Sequence, residues 1–285
     1  MKHAYLIIAH HEFEVLQKLI EALDDERNDI YLHIDKKVRQ LPHVAAQKAK
    51  IFFVADRIDV RWGHISQIES EYALFEMAYY SPEKYARFHL LSGTHLPLKN
   101  QDEIHACFAD YEGKEVVSLL YTNGYEINMK LERYHFLLRY FRYGRPWLQK
   151  SANFLWHILL KLQYIFHIQK RKLNVTLKAN NWVSLTPAAV AFILKRKTEV
   201  NQRFKWSLCG DEFFVPYLLE QDKKSFTLVG MEHMLYNEFI GSNPRTLTSD
   251  DLDFLLQSDY LFARKFSSTD LQVVDRILKH IGVAL

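Results

Sequence analysis

Asp211 and Glu212 stand side by side, Arg245 follows, and Arg264 and Lys265 sit inside the run Phe262-Ala263-Arg264-Lys265-Phe266. One carboxylate with two or three fixed cations, each beside an apolar run, suits a reaction in which a hydroxyl loses its proton while a diphosphate departs. The carboxylate takes the proton and the cations offset the charge on the leaving group. Transfer of a sugar from a nucleotide diphosphate is such a reaction. A glycosidase would need a second carboxylate roughly 5–10 Å from Glu212. The sequence offers only Asp211, whose neighbouring side chain would point elsewhere.

The elements that must position these residues are legible in the hydrophobic period. Ala4 to Ala9 reads as a buried strand, and Val15, Leu16, Leu19, Ile20 and Leu23 then recur at helical spacing. Strands follow at Ile30 to Ile34, Ile51 to Ala55, Phe88 to Leu91 and Val116 to Leu120, with a helix from Ile65 to Ala78. Strands alternating with helices predict a mostly parallel sheet flanked by helices, with ligands at the carboxyl ends of the strands. The middle, Glu126 to Lys172, reads as helices. Mixed elements return with a strand at Trp182 to Leu185, a helix at Ala188 to Lys195, a helical run from Leu252 to Leu256 and a closing helix over 269–281.

A dehydrogenase-type nucleotide site is excluded by the turn after the first strand, His10-His11-Glu12-Phe13, which lacks the glycines that let backbone approach a pyrophosphate. No phosphate loop ending in Gly-Lys-Ser/Thr occurs either, so side chains must hold any nucleotide. His10-His11 and His33-Ile34-Asp35 end the first two strands, where nucleoside contacts belong. They equally serve as simple strand terminators, and spacing alone does not choose. The histidines match no metal-ligand spacing, so no metal site is expected. Asp251-Leu252-Asp253 is formally an Asp-x-Asp, but it follows Thr248-Ser249 at a helix start, and capping explains it.

The 285 residues can bury a large core, and 48% apolar with 25% charged residues is an ordinary globular composition. Only Cys107 and Cys209 occur, which points to a reducing compartment and to no disulfide framework. The chain opens directly into a strand, and no apolar stretch reaches the ~20 residues of a spanning helix. A cytoplasmic protein, soluble or peripheral at the inner face of the cell membrane, is the expectation. Arg133 to Lys197 contains no Asp or Glu but many cations, interleaved with aromatic and aliphatic residues. Three readings fit: a solvated helical face, nucleic-acid binding without a recognition motif, or peripheral contact with an anionic membrane through residues 139–172. No nucleic-acid partner is expected.

The chain resembles the core-2/I-branching family of inverting glycosyltransferases, which also includes the peptide O-xylosyltransferases. The resemblance runs nearly end to end. It rests on Ala4 to His11, His33-Ile34-Asp35, Trp62-Gly63 with Ser66, Leu91-Ser92-Gly93 with Pro97-Leu98, Trp182 to Leu185, Asp211-Glu212 and Phe262 to Phe266. It implies a single GT-A-like, Rossmann-like α/β domain over 1–285 that works without a metal or other cofactor. Within it lie a nucleotide-binding half (1–125), a basic helical insertion (126–180) and a catalytic and acceptor half (181–285).

By the same resemblance Glu212 is the base, Arg245 and Lys265 hold the donor diphosphate, and His10, Asp35 and Trp62 contact the nucleoside. His95, Glu132, Arg133 and Asp211 are candidates for sugar or acceptor contacts. His95 stands where the family usually has Asp, which puts the local sugar contacts in question. The implied partners are a UDP-sugar, carrying N-acetylglucosamine or alternatively xylose, and a glycan or lipid-linked saccharide acceptor of surface polysaccharide or glycolipid synthesis. The alternative from another class is a non-catalytic membrane- or polyanion-binding protein on a transferase scaffold.

Overall fold

In the computed structural model, which describes residues 1–241 and 243–283, a seven-stranded sheet forms the centre. Its strands are β1 (His3–Ala9), β2 (Asn28–Ile34), β3 (Lys50–Phe53), β4 (Arg87–Ser92), β6 (Lys114–Leu120), β7 (Lys178–Leu185) and β8 (Thr227–Gly230), with the short β5 (His95–Pro97) lying outside it. The order is β3-β2-β1-β4-β7-β6-β8. Strands β3, β2, β1 and β4 are mutually parallel, β7 runs antiparallel to both β4 and β6, and β8 is parallel to β6. One reversed strand therefore sits inside an otherwise parallel sheet. Such a strand presents its beginning where its neighbours present their ends.

Continuous burial along β2 and near-continuous burial along β1 match their unbroken apolar runs, as expected for strands covered on both faces. Helices α1 (Phe13–Ala22), α2 (Ser66–Tyr79) and α3 (Gln101–Ala109) alternate with the early strands. After β6 come α4 (Gly124–Leu131) and α5 (Pro146–Ile165), then α6 (Pro187–Lys195), α7 (Lys197–Phe204) and α8 (Phe214–Glu220) beyond β7. The last segment adds β9 (Leu235–Tyr236), β10 (Phe239–Ile240), β11 (Asn243–Pro244), α9 (Leu252–Gln257), β12 (Phe262–Arg264) and α10 (Leu271–His280). Strand β12 pairs antiparallel with β5 and parallel with β9, in a second small sheet. Helix α2 packs on β1 and β2, and α10 returns to α1. The main buried cluster accordingly draws side chains from Ala4 to Ile281.

The structure departs from the sequence reading in the middle of the chain and agrees with it at Thr248. Helix does not continue to Lys172: α5 ends at Ile165 and an irregular stretch leads to β7. The Thr248 segment is a capping box, in which Asp251 accepts from the Thr248 backbone N–H at 2.8 Å, as its composition predicts.

At the amino ends of β1 and β4, remote from the strand ends that carry ligands, three histidines pack together. His3 stacks on His105 with ring centroids 3.8 Å apart and lies 3.1 Å from the His89 ring nitrogen. Burial first, and mutual repulsion of their charged forms second, lower His3 to about 2 and push His89 well below the ordinary value. Burial likewise lowers His105 to about 4. Because the unfolded chain binds these protons near pH 6.5 and the folded one does not, this contribution is present above pH 6.5. It is lost as pH falls towards the folded values. We expect the Tm to fall steadily from pH 6.5 to 4.5. In His105→Gln, whose amide can still donate to Asn28 Oδ1, urea titrations across that window should give a slope flatter by up to ~1.4 kcal/mol per pH unit.

Candidate active site

The carboxyl ends of β1, β2 and β4 and the amino end of β7 open on one cavity of about 910 Å³. This is at the upper end for a small-molecule site, ~300–1,000 Å³. Reversal of β7 is why Lys178, Asn180, Asn181 and Trp182, from the start of a strand, line it beside His10, Asp35 and Thr94, from the ends of others.

Asp211 and Glu212 lie on a single turn of 3₁₀ helix, Gly210–Glu212. Cys209 enters it in the left-handed region (φ 51°), and its N–H donates to the Gly63 carbonyl at 2.9 Å. The Leu208 N–H donates to the Lys130 carbonyl at 2.8 Å. A Cβ at Gly210 would come 2.9 Å from the Phe204 ring, so the turn needs its glycine to lie this close to α7. The two acids then diverge. Glu212 Oε2 accepts from Lys130 Nζ at 2.9 Å and lies 3.3 Å from Lys178 Nζ, and Glu126 Oε1 bridges the same two lysines at 2.9 and 2.8 Å. Burial would lower the Lys130 pKa, but the charges and hydrogen bonds of Glu212 and Glu126 raise it above lysine's ordinary value. Burial works against Glu126 too, yet its lysine partners bring it to about 2.

Asp211 faces inward, with Oδ2 accepting from Gln67 Nε2 at 2.9 Å. Burial and then the Glu212 charge push it up to about 7. Beside it Glu71 is wholly buried on α2. Burial, reinforced by Asp211, holds it well above the usual carboxylate range against the counteracting Asn181 amide.

The cations of β12 have a different setting. Arg264 is largely buried with its guanidinium 4.9 Å from the centre of the Trp182 ring, and burial lowers it to about 10. Among the described residues neither Arg264 nor Lys265 has a carboxylate within ion-pair distance, and both line the cavity. Asn180 Nδ2, Trp182 Nε1, Asp211 Oδ1 and Arg264 Nε are buried atoms of cavity-lining residues without a hydrogen-bond partner among the described residues. Both donors and acceptors are represented, which a polyhydroxylated ligand can satisfy and an apolar one cannot.

Of the residues nominated from sequence, Glu212, Asp211, Lys265, His10, Asp35 and Trp62 all line the cavity. Asp35 is held by the Lys37 backbone N–H at 2.8 Å and Lys37 Nζ at 2.6 Å, and Trp62 carries the Arg142 guanidinium 3.9 Å from its ring centre. Burial and the neighbouring His11 lower His10 to about 4, so it lines the site as a neutral imidazole.

Four nominations are placed elsewhere. Arg245 is clamped by Glu238 at 2.6 Å and Asp251 at 2.7 Å and is not a lining residue. A diphosphate would have to displace both carboxylates. His95 is buried with Nδ1 hydrogen-bonded to Ser92, under the edge of Trp182. Glu132 and Arg133 are buried in the fold: Glu132 accepts from Asn128, and Arg133 donates to the Gln163 and Ile168 carbonyls at the end of α5. Sequence reasoning missed Lys130, Lys178, Glu71 and the pairing state of Arg264. For Lys130 the available signal was its (i, i+4) spacing from Glu126.

The molecule is a mostly parallel α/β sheet with a crevice built by side chains at its strand ends, the place where open α/β sheets hold their ligands. The family description "Core-2/I-Branching enzyme" matches residues 3–240, and the chain belongs to that family; it is a glycosyltransferase. Arg264 and Lys265 lie beyond the matched span. No curated protein sequence matches the chain. Among solved structures, the apo crystal structure of mouse xyloside xylosyltransferase 1 is similar over 92% of this chain and 96% of that one, at 10% identity and a TM-score of 0.41.

Two outcomes separate these placements. Arg245→Ala should lower the Tm through loss of its carboxylate clamp, yet leave UDP affinity in calorimetry within about threefold; a loss of UDP binding would return Arg245 to the site. An aspartate raised above its unfolded pKa stabilises fully below that value and loses its contribution as pH rises through the folded one. Asp211→Asn should therefore raise the Tm more at pH 8 than at pH 4.5, and an equal change at both would contradict its placement.

Proposed function

We propose that the protein is an inverting, metal-independent transferase that moves a sugar from a UDP-sugar to a hydroxyl of a glycan or lipid-linked acceptor in surface polysaccharide or glycolipid synthesis. N-acetylglucosamine is the first expectation for the sugar and xylose the alternative. The observation that carries this is one cavity holding a lysine-braced carboxylate, Glu212, together with two cations that have no carboxylate partner among the described residues, Arg264 and Lys265.

Glu212 takes the proton of the acceptor hydroxyl as its oxygen attacks the anomeric carbon. The bond from that carbon to the diphosphate breaks, and its electron pair leaves on the phosphate oxygen. Attack from the face opposite the leaving group inverts the centre. Lys130 and Lys178 fix the carboxylate so that little reorganisation is needed in the transition state. Lys265 as a point charge and Arg264 as a planar fork offset the departing charge, taking the role that a divalent cation fills in many transferases. The orphaned donors and acceptors around Asn180, Trp182 and Asp211 suit the hydroxyls of the donor sugar, and the nucleoside is assigned to His10, Asp35 and Trp62, which line the same cavity.

Glu212→Gln should lower turnover ~10²–10⁴-fold while UDP titration in EDTA still gives the wild-type affinity. Lys265→Ala or Arg264→Ala should lower kcat by ~10²–10³ and weaken UDP as well. UDP binding that appears only with manganese would remove the metal-free mechanism. Undiminished turnover in Glu212→Gln would remove the base.

A further inference from the structure

Helix α5 is turned the wrong way round for a helix of a water-soluble core. It directs Ala152 and Gln163 inward. Polar bonds hold it there: Gln163 spans the Tyr134 backbone, accepting from its N–H at 2.7 Å and donating to its carbonyl at 2.9 Å, and the Trp156 indole donates to His135 at 3.0 Å. Outward it directs Trp147, Phe154, Leu155, Ile158, Leu162 and Ile165. Seven, eight, eleven, fifteen and eighteen residues on from Trp147, these form one stripe about 100° wide. Trp147, Phe154 and Ile165 are 62%, 66% and 56% exposed. An apolar patch of this continuity on a surface marks a place where something docks.

The charges around the stripe decide the occupant. Lys150 and Lys161 flank one edge, Arg145 precedes the helix, Arg171 and Lys172 follow it, all exposed, and no acid occurs between Arg133 and Lys197. Two copies of this chain meeting face to face would bring like charges together. A polyanion alone would leave the six apolar side chains in water. A bilayer with anionic headgroups satisfies both, taking the stripe into its acyl boundary and the cations into its surface potential. Among the described residues no helix is long and apolar enough to cross a membrane, so the contact is one of lying on the surface.

We propose that α5 seats the protein on an anionic bilayer. The segment that leads into the helix supplies Leu138, Arg139 and Tyr143 to the cavity wall, so docking brings the cavity rim next to the headgroups. Only the identity of the acceptor, a hydroxyl on a lipid-borne glycan, rests on the transferase reading; the docking itself does not.

Vesicle flotation tests it. The whole protein should float with phosphatidylcholine vesicles containing phosphatidylglycerol and stay behind with phosphatidylcholine alone. Phe154→Ser/Ile158→Ser should abolish flotation, and Lys150→Gln and Lys161→Gln should weaken it about fivefold each, the equivalent of ~1 kcal/mol per cation. UDP titration of the same preparations reports separately on the transferase reading. Wild-type protein that binds UDP but remains soluble with anionic vesicles overturns the proposal. So does a dimer in sedimentation velocity that Phe154→Ser/Ile158→Ser dissolves, since the stripe would then belong to a second copy.

Discussion

Two lysines held between two carboxylates join the pieces of this active site. Lys130 belongs to α4, Lys178 opens β7, Glu126 starts α4 and Glu212 ends the 3₁₀ turn, and the four close an ion network on the cavity wall. Breaking one partner of a partly buried network leaves the others uncompensated, so the fold resists its loss more than it gains from its formation. That asymmetry makes the network a positioning device. Glu212 is carried by a three-residue turn with little stiffness of its own, and it takes its precision from a helix and a strand that have plenty.

Much of this architecture was legible in the sequence. The apolar runs of β1, β2 and β4 and the helical spacing of α1, α2 and α10 fix elements whose order implies a sheet with its crevice at the strand ends. Glu212, Lys265, His10, Asp35 and Trp62 followed because they sit at those ends or in motifs tied to them. Lys178 did not follow, because hydrophobic period reports that a strand exists and is silent on its direction. Only the reversal of β7 brings the residues before Trp182 to the cavity. Arg245 and Arg264 look alike in sequence. What separates them is tertiary: Glu238 and Asp251 neutralise the first, while burial against Trp182 isolates the second. Arg133 was misplaced for a similar reason. A buried arginine that closes carbonyls at the end of α5 leaves no periodic trace.

Charge is sorted by function across the molecule. Around the carboxyl end of β2, Lys37, Arg61 and Arg139 pair with Asp35 and Asp59, which offsets most of their charge. Glu212 is matched to lysines. Arg264 and Lys265 add cavity charge that no carboxylate among the described residues matches, and further cations surround α5 on the outer surface. A formal charge of +3 for the whole chain conceals this division.

The turn after β1 and the loop after β12 are joined by Glu12, whose carboxylate accepts from the Ser268 backbone N–H at 2.6 Å and from the Ser267 hydroxyl at 3.0 Å. The partners lie 255 and 256 residues apart in the chain, and contacts of such separation form late. During synthesis the sheet and the turn bearing Glu212 emerge well before β12. A nascent chain can therefore carry Glu212, its lysine network and the ends of β1 and β2 while lacking Arg264 and Lys265. Arrival of the final strand completes the cavity wall, so occupancy by any ligand that touches β12 becomes a mark of a finished molecule and adds its binding energy only to chains that have closed this long loop.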